Sequence, residues 1–221
     1  YGQSDRNMRR GVDEDGPEHR NKSPMSTLKL NDSLLLGKGN ERLCYVHPDD
    51  PSKIIKVPYR NRNARSQNSL EVLYYAYLEK KGASFAHITR CFGSVDVEGE
   101  KGLIFDRVIN SDGSRSMTFS DIVRQKIITP EQAEELLDDL KGYLVANNIL
   151  FVDVSLDNIM CRHEEDGSYR LIIVDGLGGR RPGFKFWLYR HFPSYAAYKV
   201  KRQWPKVMRN FKKLSKGLAA S

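Results

Sequence analysis

Three polar residues, Asp153, Asn158 and Asp175, stand at the ends of two short strand-like runs, and their types suit metal-assisted chemistry on a hydroxyl group. The runs are Asn158-Ile159-Met160-Cys161-Arg162-His163 and Tyr169-Arg170-Leu171-Ile172-Ile173-Val174, joined by the hairpin loop Glu164-Glu165-Asp166-Gly167-Ser168. A hairpin brings its outer ends together, so Asn158 and Asp175 become neighbours. Asp153, five residues before Asn158, faces the same space. Two oxygen ligands suit a hard cation such as magnesium, which fills its shell with water and substrate phosphates. The carboxylate left over orients or deprotonates a hydroxyl nucleophile. By itself the D-x-x-x-x-N spacing also fits an Asp and an Asn in ordinary turns. The elements upstream weigh against that simpler reading.

The arrangement resembles the catalytic loop and metal-binding Asp of protein-kinase-like phosphotransferases. The resemblance implies Asp153 as catalytic base and Asn158 and Asp175 as magnesium ligands.

Positioning these groups takes two sets of elements. From Leu28 the pattern is β: Leu34-Leu35-Leu36, the turn Gly37-Lys38-Gly39-Asn40-Glu41-Arg42, Leu43-Cys44-Tyr45-Val46, a Pro-Asp-Asp-Pro turn, then Lys53-Ile54-Ile55-Lys56-Val57. Gly37 and Gly39 allow backbone N–H groups to approach phosphates, although a plain hairpin turn explains them as well. Arg42 stands where a third glycine of G-x-G-x-x-G would fall; it either reaches the phosphates itself or stiffens the loop. Lys56 matches the strand lysine of kinase-like proteins. A helix over 66–80, with apolar positions Leu70, Leu73, Tyr74, Tyr77 and Leu78, offers Glu71 as the partner of Lys56. Strands follow at Ile88–Val97 and Gly102–Val108. In the resemblance Phe105 is the gatekeeper, and Asp106 to Val108 form the hinge whose backbone reads adenine.

Beyond the hinge the pattern turns helical: a short helix over Phe119–Lys126, then one opening at Thr129, with Pro130 at the first helical position and Gln132 completing a capping box. Ala133, Leu136, Leu137, Leu140, Tyr143 and Leu144 supply its buried face. The expected fold is therefore α+β and two-lobed. It has a small antiparallel-sheet N-lobe over 25–108, a truncated, mainly helical C-lobe over 109–183, and a basic aromatic tail over 184–221. Residues 1–24 carry no apolar periodicity and read as a disordered extension, with the patterned domain opening near Met25.

The 221 residues are 39% hydrophobic and 29% charged, and no apolar run approaches the roughly eighteen residues of a membrane span. Cys44, Cys91 and Cys161 form no C-x-x-C pair and read as buried free thiols in a reducing compartment. The five histidines lack the spacing of a zinc site. The net charge of +8 is unevenly spread: from Gly176 to Ser221 there are twelve Lys or Arg and no Asp or Glu. Such asymmetry points to an anionic partner. From Trp204 the apolar positions recur every three or four residues, so one helical face is apolar and the other basic. That pattern fits a helix packed on the body with a solvated cationic back, or attachment to an anionic membrane surface. Nucleic-acid binding is a third reading, but no base-reading module precedes the tail, and sequence-specific recognition is not expected.

The chain resembles, more narrowly, the bacterial PhoP regulatory network protein YrbL family. The likeness rests on Leu36-Gly37-Lys38-Gly39, Cys44-Tyr45-Val46-His47-Pro48-Asp49-Asp50, Ile55-Lys56-Val57, Tyr74-Tyr75-Ala76-Tyr77-Leu78 and Asp157-Asn158-Ile159-Met160-Cys161. It covers about residues 26–180 and implies a compact kinase-like fold in a cytoplasmic protein tied to an envelope-stress regulon. With ATP and magnesium as cofactors, the expected activity is phosphotransfer to an unidentified hydroxyl acceptor, near the inner membrane face if the tail attaches there. Some features depart from typical protein kinases. Phe151-Val152 replaces His-Arg before the Asp, Asp175-Gly176-Leu177-Gly178 replaces D-F-G, and Ser155 occupies the catalytic-loop lysine position. Only 46 residues follow Asp175. These departures favour a second reading, a pseudokinase that binds nucleotide as a regulatory or scaffold module.

Overall fold

A computed structural model describes residues 27–39, 41–59, 62–178 and 193–217, with the side chains of 62–69, 193 and 217 left aside. The expectations for residues 1–24 lie outside this range.

The first part is a five-stranded antiparallel sheet in the order β1-β2-β3-β5-β4. Its strands are β1 (Leu35–Lys38), β2 (Arg42–Val46), β3 (Lys53–Pro58), β4 (Cys91–Val97) and β5 (Glu100–Asp106). The glycine segment is the β1–β2 hairpin, with Gly37 opposite Cys44 and the Gly39 N–H donating to the Arg42 carbonyl at 2.9 Å. Strand β3 is central and buried on both faces. Ile55 and Val57 join Val97 in a small cluster on one face, while Ile54 belongs to the main core on the other. Alternation then puts Lys56 on the side of Ile54, inside the molecule.

Helix α1 (Arg62–Lys80) packs on this sheet, starting four residues before the expected 66. Leu70, Tyr74 and Leu78 are buried as expected, with one exchange on the buried face. Leu73 is exposed, while Tyr75 is buried edge-on against the Phe105 ring at 5.4 Å.

The second part holds α2 (Phe119–Arg124), α3 (Pro130–Ala146) and a three-stranded sheet of β6 (Met117–Thr118), β7 (Ile159–His163) and β8 (Tyr169–Ile173). Helix α3 begins as its sequence dictates: Thr129 N–H donates to Gln132 Oε1 (2.8 Å), and Gln132 N–H donates to Thr129 Oγ1 (3.2 Å). Ala133, Leu137, Leu140 and Leu144 are buried at helical spacing. The main core is continuous from Ile54 of the five-stranded sheet to Phe211, so the two parts share one apolar interior.

Helix α4 (Pro193–Gly217) changes the reading of the tail. Ala196, Val200, Trp204, Val207 and Phe211 are all buried, and the helix lies against α3 and α2. Its apolar face is therefore used within the molecule, as in the packed-helix reading. The expectation of three buried cysteines holds only for Cys161; Cys44 and Cys91 are half-buried, and all three are free thiols. Among the described residues no helix is long and apolar enough to cross a membrane.

Candidate active site

Leu150 to Asp153 and Asp175 to Gly178 run side by side. Val152 and Asp153 both donate their N–H groups to the Gly176 carbonyl, at 2.8 and 3.1 Å, and Gly178 N–H donates to the Leu150 carbonyl at 2.9 Å. The β7–β8 hairpin closes the third side, because Val174 N–H donates to the Asn158 carbonyl at 2.9 Å. Asn158 Nδ2 in turn donates to the Asp153 carbonyl at 3.1 Å. Gly176 sits at the crossing with φ +84°, where a Cβ would lie 2.8 Å from the Asp153 Cβ and 3.2 Å from Asn158 Nδ2. Only glycine fits there without displacing both neighbours.

Above this floor lies a cleft of about 930 Å³ between the two sheets. Asp153, Asn158 and Asp175 line it from below. Gly37, Gly39, Lys56, Glu71, Asp106 and Val108 line it from the five-stranded sheet, its hairpin and α1. All nine residues singled out from the sequence thus border one space.

The ion pairs inside differ from the expected ones. Lys56 Nζ donates to the Val174 carbonyl, stands 3.7 Å from Asp175 Oδ2, and lies 4.5 Å from the centre of the Phe105 ring. Glu71 pairs instead with Arg42. Arg42 opens β2 only three residues past the Gly39 turn and reaches inward between two acids. One end of its guanidinium meets Glu71; Nη2 reaches both Asp175 oxygens at 2.7 and 2.6 Å. A planar fork with several donors can serve two carboxylates at once, which a lysine ammonium does less well.

Burial works to raise the Asp175 pKa, but Lys56 and Arg42 outweigh it and hold the carboxyl well below the usual range. Burial likewise works to lower the Arg42 pKa, and Glu71 and Asp175 more than reverse it, so both groups are charged. Burial pushes the Cys44 thiol up, against the pull of Lys56 and Arg42.

The donor set fits a hard cation in kind. Asp175 brings a carboxylate, and Asn158, with its Nδ2 given to Asp153, keeps its amide oxygen for a metal. Among the described residues no group of three or more His, Cys, Asp or Glu could hold a metal ion. A cation here would depend on water and phosphate oxygens for the rest of its shell, which is how magnesium is usually held.

The sequence left Arg42 either reaching toward phosphates or stiffening the loop, and gave no sign of its double ion pair. It gave no role in the cleft to Arg115 or Asp157, which also line it. Arg115 has no strand or helix pattern around it to mark its direction.

The fold and cleft define an α+β protein whose acidic, amide and cationic groups converge between two antiparallel sheets. The family model described as PhoP regulatory network protein YrbL matches residues 28–212, and the chain belongs to that family. It is 29% identical over 154 residues to YrbL of Escherichia coli (strain K12), across 68% of this chain and 73% of that protein. The figures are the same for YrbL of Shigella flexneri. The family is one linked to the PhoP regulatory network.

Proposed function

We propose that this chain is a kinase-like phosphotransferase that uses ATP and magnesium to phosphorylate a hydroxyl acceptor within the PhoP regulatory network. The observation that carries the reading is the convergence of Gly37, Gly39, Lys56, Asp106, Val108, Asp153, Asn158 and Asp175 on one cleft. Its volume lies within the range of small-molecule sites. The space over Gly37 is open, since a Cβ there would meet nothing within 4 Å.

In this reading the β1–β2 hairpin covers the phosphates and Lys56 neutralises them. Asp106 to Val108 hold the base. Asn158 and Asp175 would hold magnesium, which would supply neutralisation of the phosphate charge when bound. Asp153, exposed at the floor of the cleft, receives the acceptor's proton. Most of the rate then comes from positioning and charge neutralisation.

The pseudokinase reading has its own support: Asp175, the expected metal ligand, is held by Arg42. Magnesium-dependent ATP turnover by the purified chain, with bacterial extract as the source of acceptor, separates the two. Turnover that requires Asp153 supports the phosphotransferase. Stabilisation by Mg-ATP without turnover supports the pseudokinase, and neither effect overturns both.

A further inference from the structure

The expected metal carboxylate is engaged on both oxygens by Arg42, and this has a consequence for what can enter the cleft. We propose that Arg42 is a charge lock, which makes the cleft accept a divalent cation only together with a polyphosphate. The proposal rests on the nucleotide reading above.

Among the described residues, Lys56 and Arg42 stand against Glu71 and Asp175, two formal positive charges against two negative. A bare divalent cation approaching Asp175 would face the Arg42 guanidinium and the Lys56 ammonium in a partly buried place, where screening is weak. It would also have to displace the charge-assisted hydrogen bonds that Nη2 makes to both Asp175 oxygens, a kind roughly twice as strong as neutral ones. A metal–triphosphate complex is net negative and brings acceptors for the displaced donors, so both penalties fall together.

The second arm of Arg42 gives the lock its pivot. Glu71 holds one end of the guanidinium, and its side chain is only 10% exposed, so losing Asp175 does not send Arg42 into solvent. The Nη2 that leaves Asp175 remains inside the cleft, beside the phosphates. Arg42 thereby becomes a phosphate ligand and a specificity-determining residue. The unusual replacement of a third glycine by arginine gains a use: the short hairpin sets the stem at the depth where the fork reaches both acids.

Binding of metal and nucleotide must then be mutually reinforcing, because whichever arrives first releases Asp175 or supplies the counter-charge for the other. The test uses the full chain, Mn²⁺ followed by the paramagnetic resonance of the free ion, and adenylyl imidodiphosphate followed by calorimetry. Wild type is expected to bind Mn²⁺ on the order of tenfold or more tightly with the analogue present than without it. Arg42→Gln and Arg42→Ala should bind Mn²⁺ alone about tenfold more tightly than wild type, and the Mn²⁺–analogue complex about tenfold more weakly. Arg42→Lys keeps the charge and should still reject the bare ion.

If wild type binds Mn²⁺ equally well with and without the analogue, the lock is overturned while the nucleotide reading survives. The same conclusion follows if Arg42→Gln leaves metal-alone affinity unchanged. If wild type binds the analogue under no condition, the nucleotide reading fails and the lock falls with it. Equal wild-type affinities, corrected for Mn²⁺ chelated by the analogue in solution, overturn the lock even if the variants fail to fold, and Arg42→Lys, which keeps the charge, carries the positive arm.

Discussion

Lys56 is 6% exposed, a charged side chain held within the wall of the cleft. Its ammonium satisfies the Val174 carbonyl, leans on Phe105 and offsets the charge of Asp175. Truncation to alanine therefore does two things: it removes a cation that lines the cleft and leaves buried groups without compensation. Lys56→Ala should lower stability by about 1–3 kcal/mol in urea unfolding. Lys56→Met, which keeps the stem, should lose less stability but show the same loss of thermal stabilisation by Mg-ATP. An alanine variant as stable as wild type would mean that the ammonium reaches solvent. Asp153 carries a different expectation under the proposed phosphotransfer, because it is exposed and lines the cleft. Asp153→Asn should cut phosphotransfer by roughly 10²–10⁴-fold with nucleotide affinity unchanged. A parallel loss of affinity would reassign Asp153 from proton acceptor to binding group.

The site depends on connections between elements at two points. At Gly176, a methyl group would press on the Asp153 Cβ and carbonyl at 2.8 and 2.9 Å from a left-handed backbone position. Gly176→Ala should cost about 1–3 kcal/mol from the backbone alone, with turnover falling further because Asp153 and Asn158 must both shift. At the end of α1, Lys81 Nζ donates to the Asn147 and Asn148 carbonyls at 2.7 and 3.1 Å, tying α1 to the turn that leads into Leu150–Asp153. Burial pushes the Lys81 ammonium down from 10.5 to about 8. Between those values the unfolded chain binds more protons than the folded one, so this group makes stability rise with pH above about 8. The difference in urea midpoint between wild type and Lys81→Met should therefore shift toward wild type from pH 8 to 9.5, a range chosen around that value. A pH-independent difference would show that the two carbonyls hold the proton on Lys81 despite its burial. These elements were not equally legible in the sequence. Helix α3 was, because Thr129, Pro130 and Gln132 write its start in local chemistry. The Asp153–Asn158–Asp175 grouping was too, because a hairpin closes it. The burial of Tyr75 in place of Leu73 was not: Leu73, Tyr74 and Tyr75 are consecutive and apolar, and Phe105 decides which flank of Tyr74 is buried. The double pairing of Arg42 lay furthest from view. Its acids are 29 and 133 residues away, and a long side chain's choice between carboxylates is settled by packing.

Along the whole chain, charge is sharply segregated. The first 175 residues carry a net negative charge, and the remainder has twelve cations and no acids. Helix α4 resolves this into geometry: Trp204, Val207 and Phe211 are buried, while Lys201, Arg202, Lys206, Arg209, Lys212 and Lys213 are exposed on the back. With the apolar face committed to α2 and α3, membrane attachment by insertion would require pulling Trp204 out of the core. Removing so large a buried side chain costs about 3–5 kcal/mol. Adsorption through charge alone requires no such rearrangement, and each basic residue near an anionic leaflet contributes about 1 kcal/mol. The helix is therefore expected to hold the chain on acidic vesicles electrostatically, without insertion. Co-sedimentation should appear with anionic lipid, decline as salt rises, and vanish when Lys206, Arg209, Lys212 and Lys213 become Glu. In a Trp187→Phe background, Trp204 fluorescence should not move on binding. A blue shift or quenching by lipid-borne bromine would mean that the helix leaves the body and inserts. Sedimentation that is equal with neutral and anionic vesicles, or absent with both, would leave the basic face as a solvated surface and return the search for its anionic partner to the cleft.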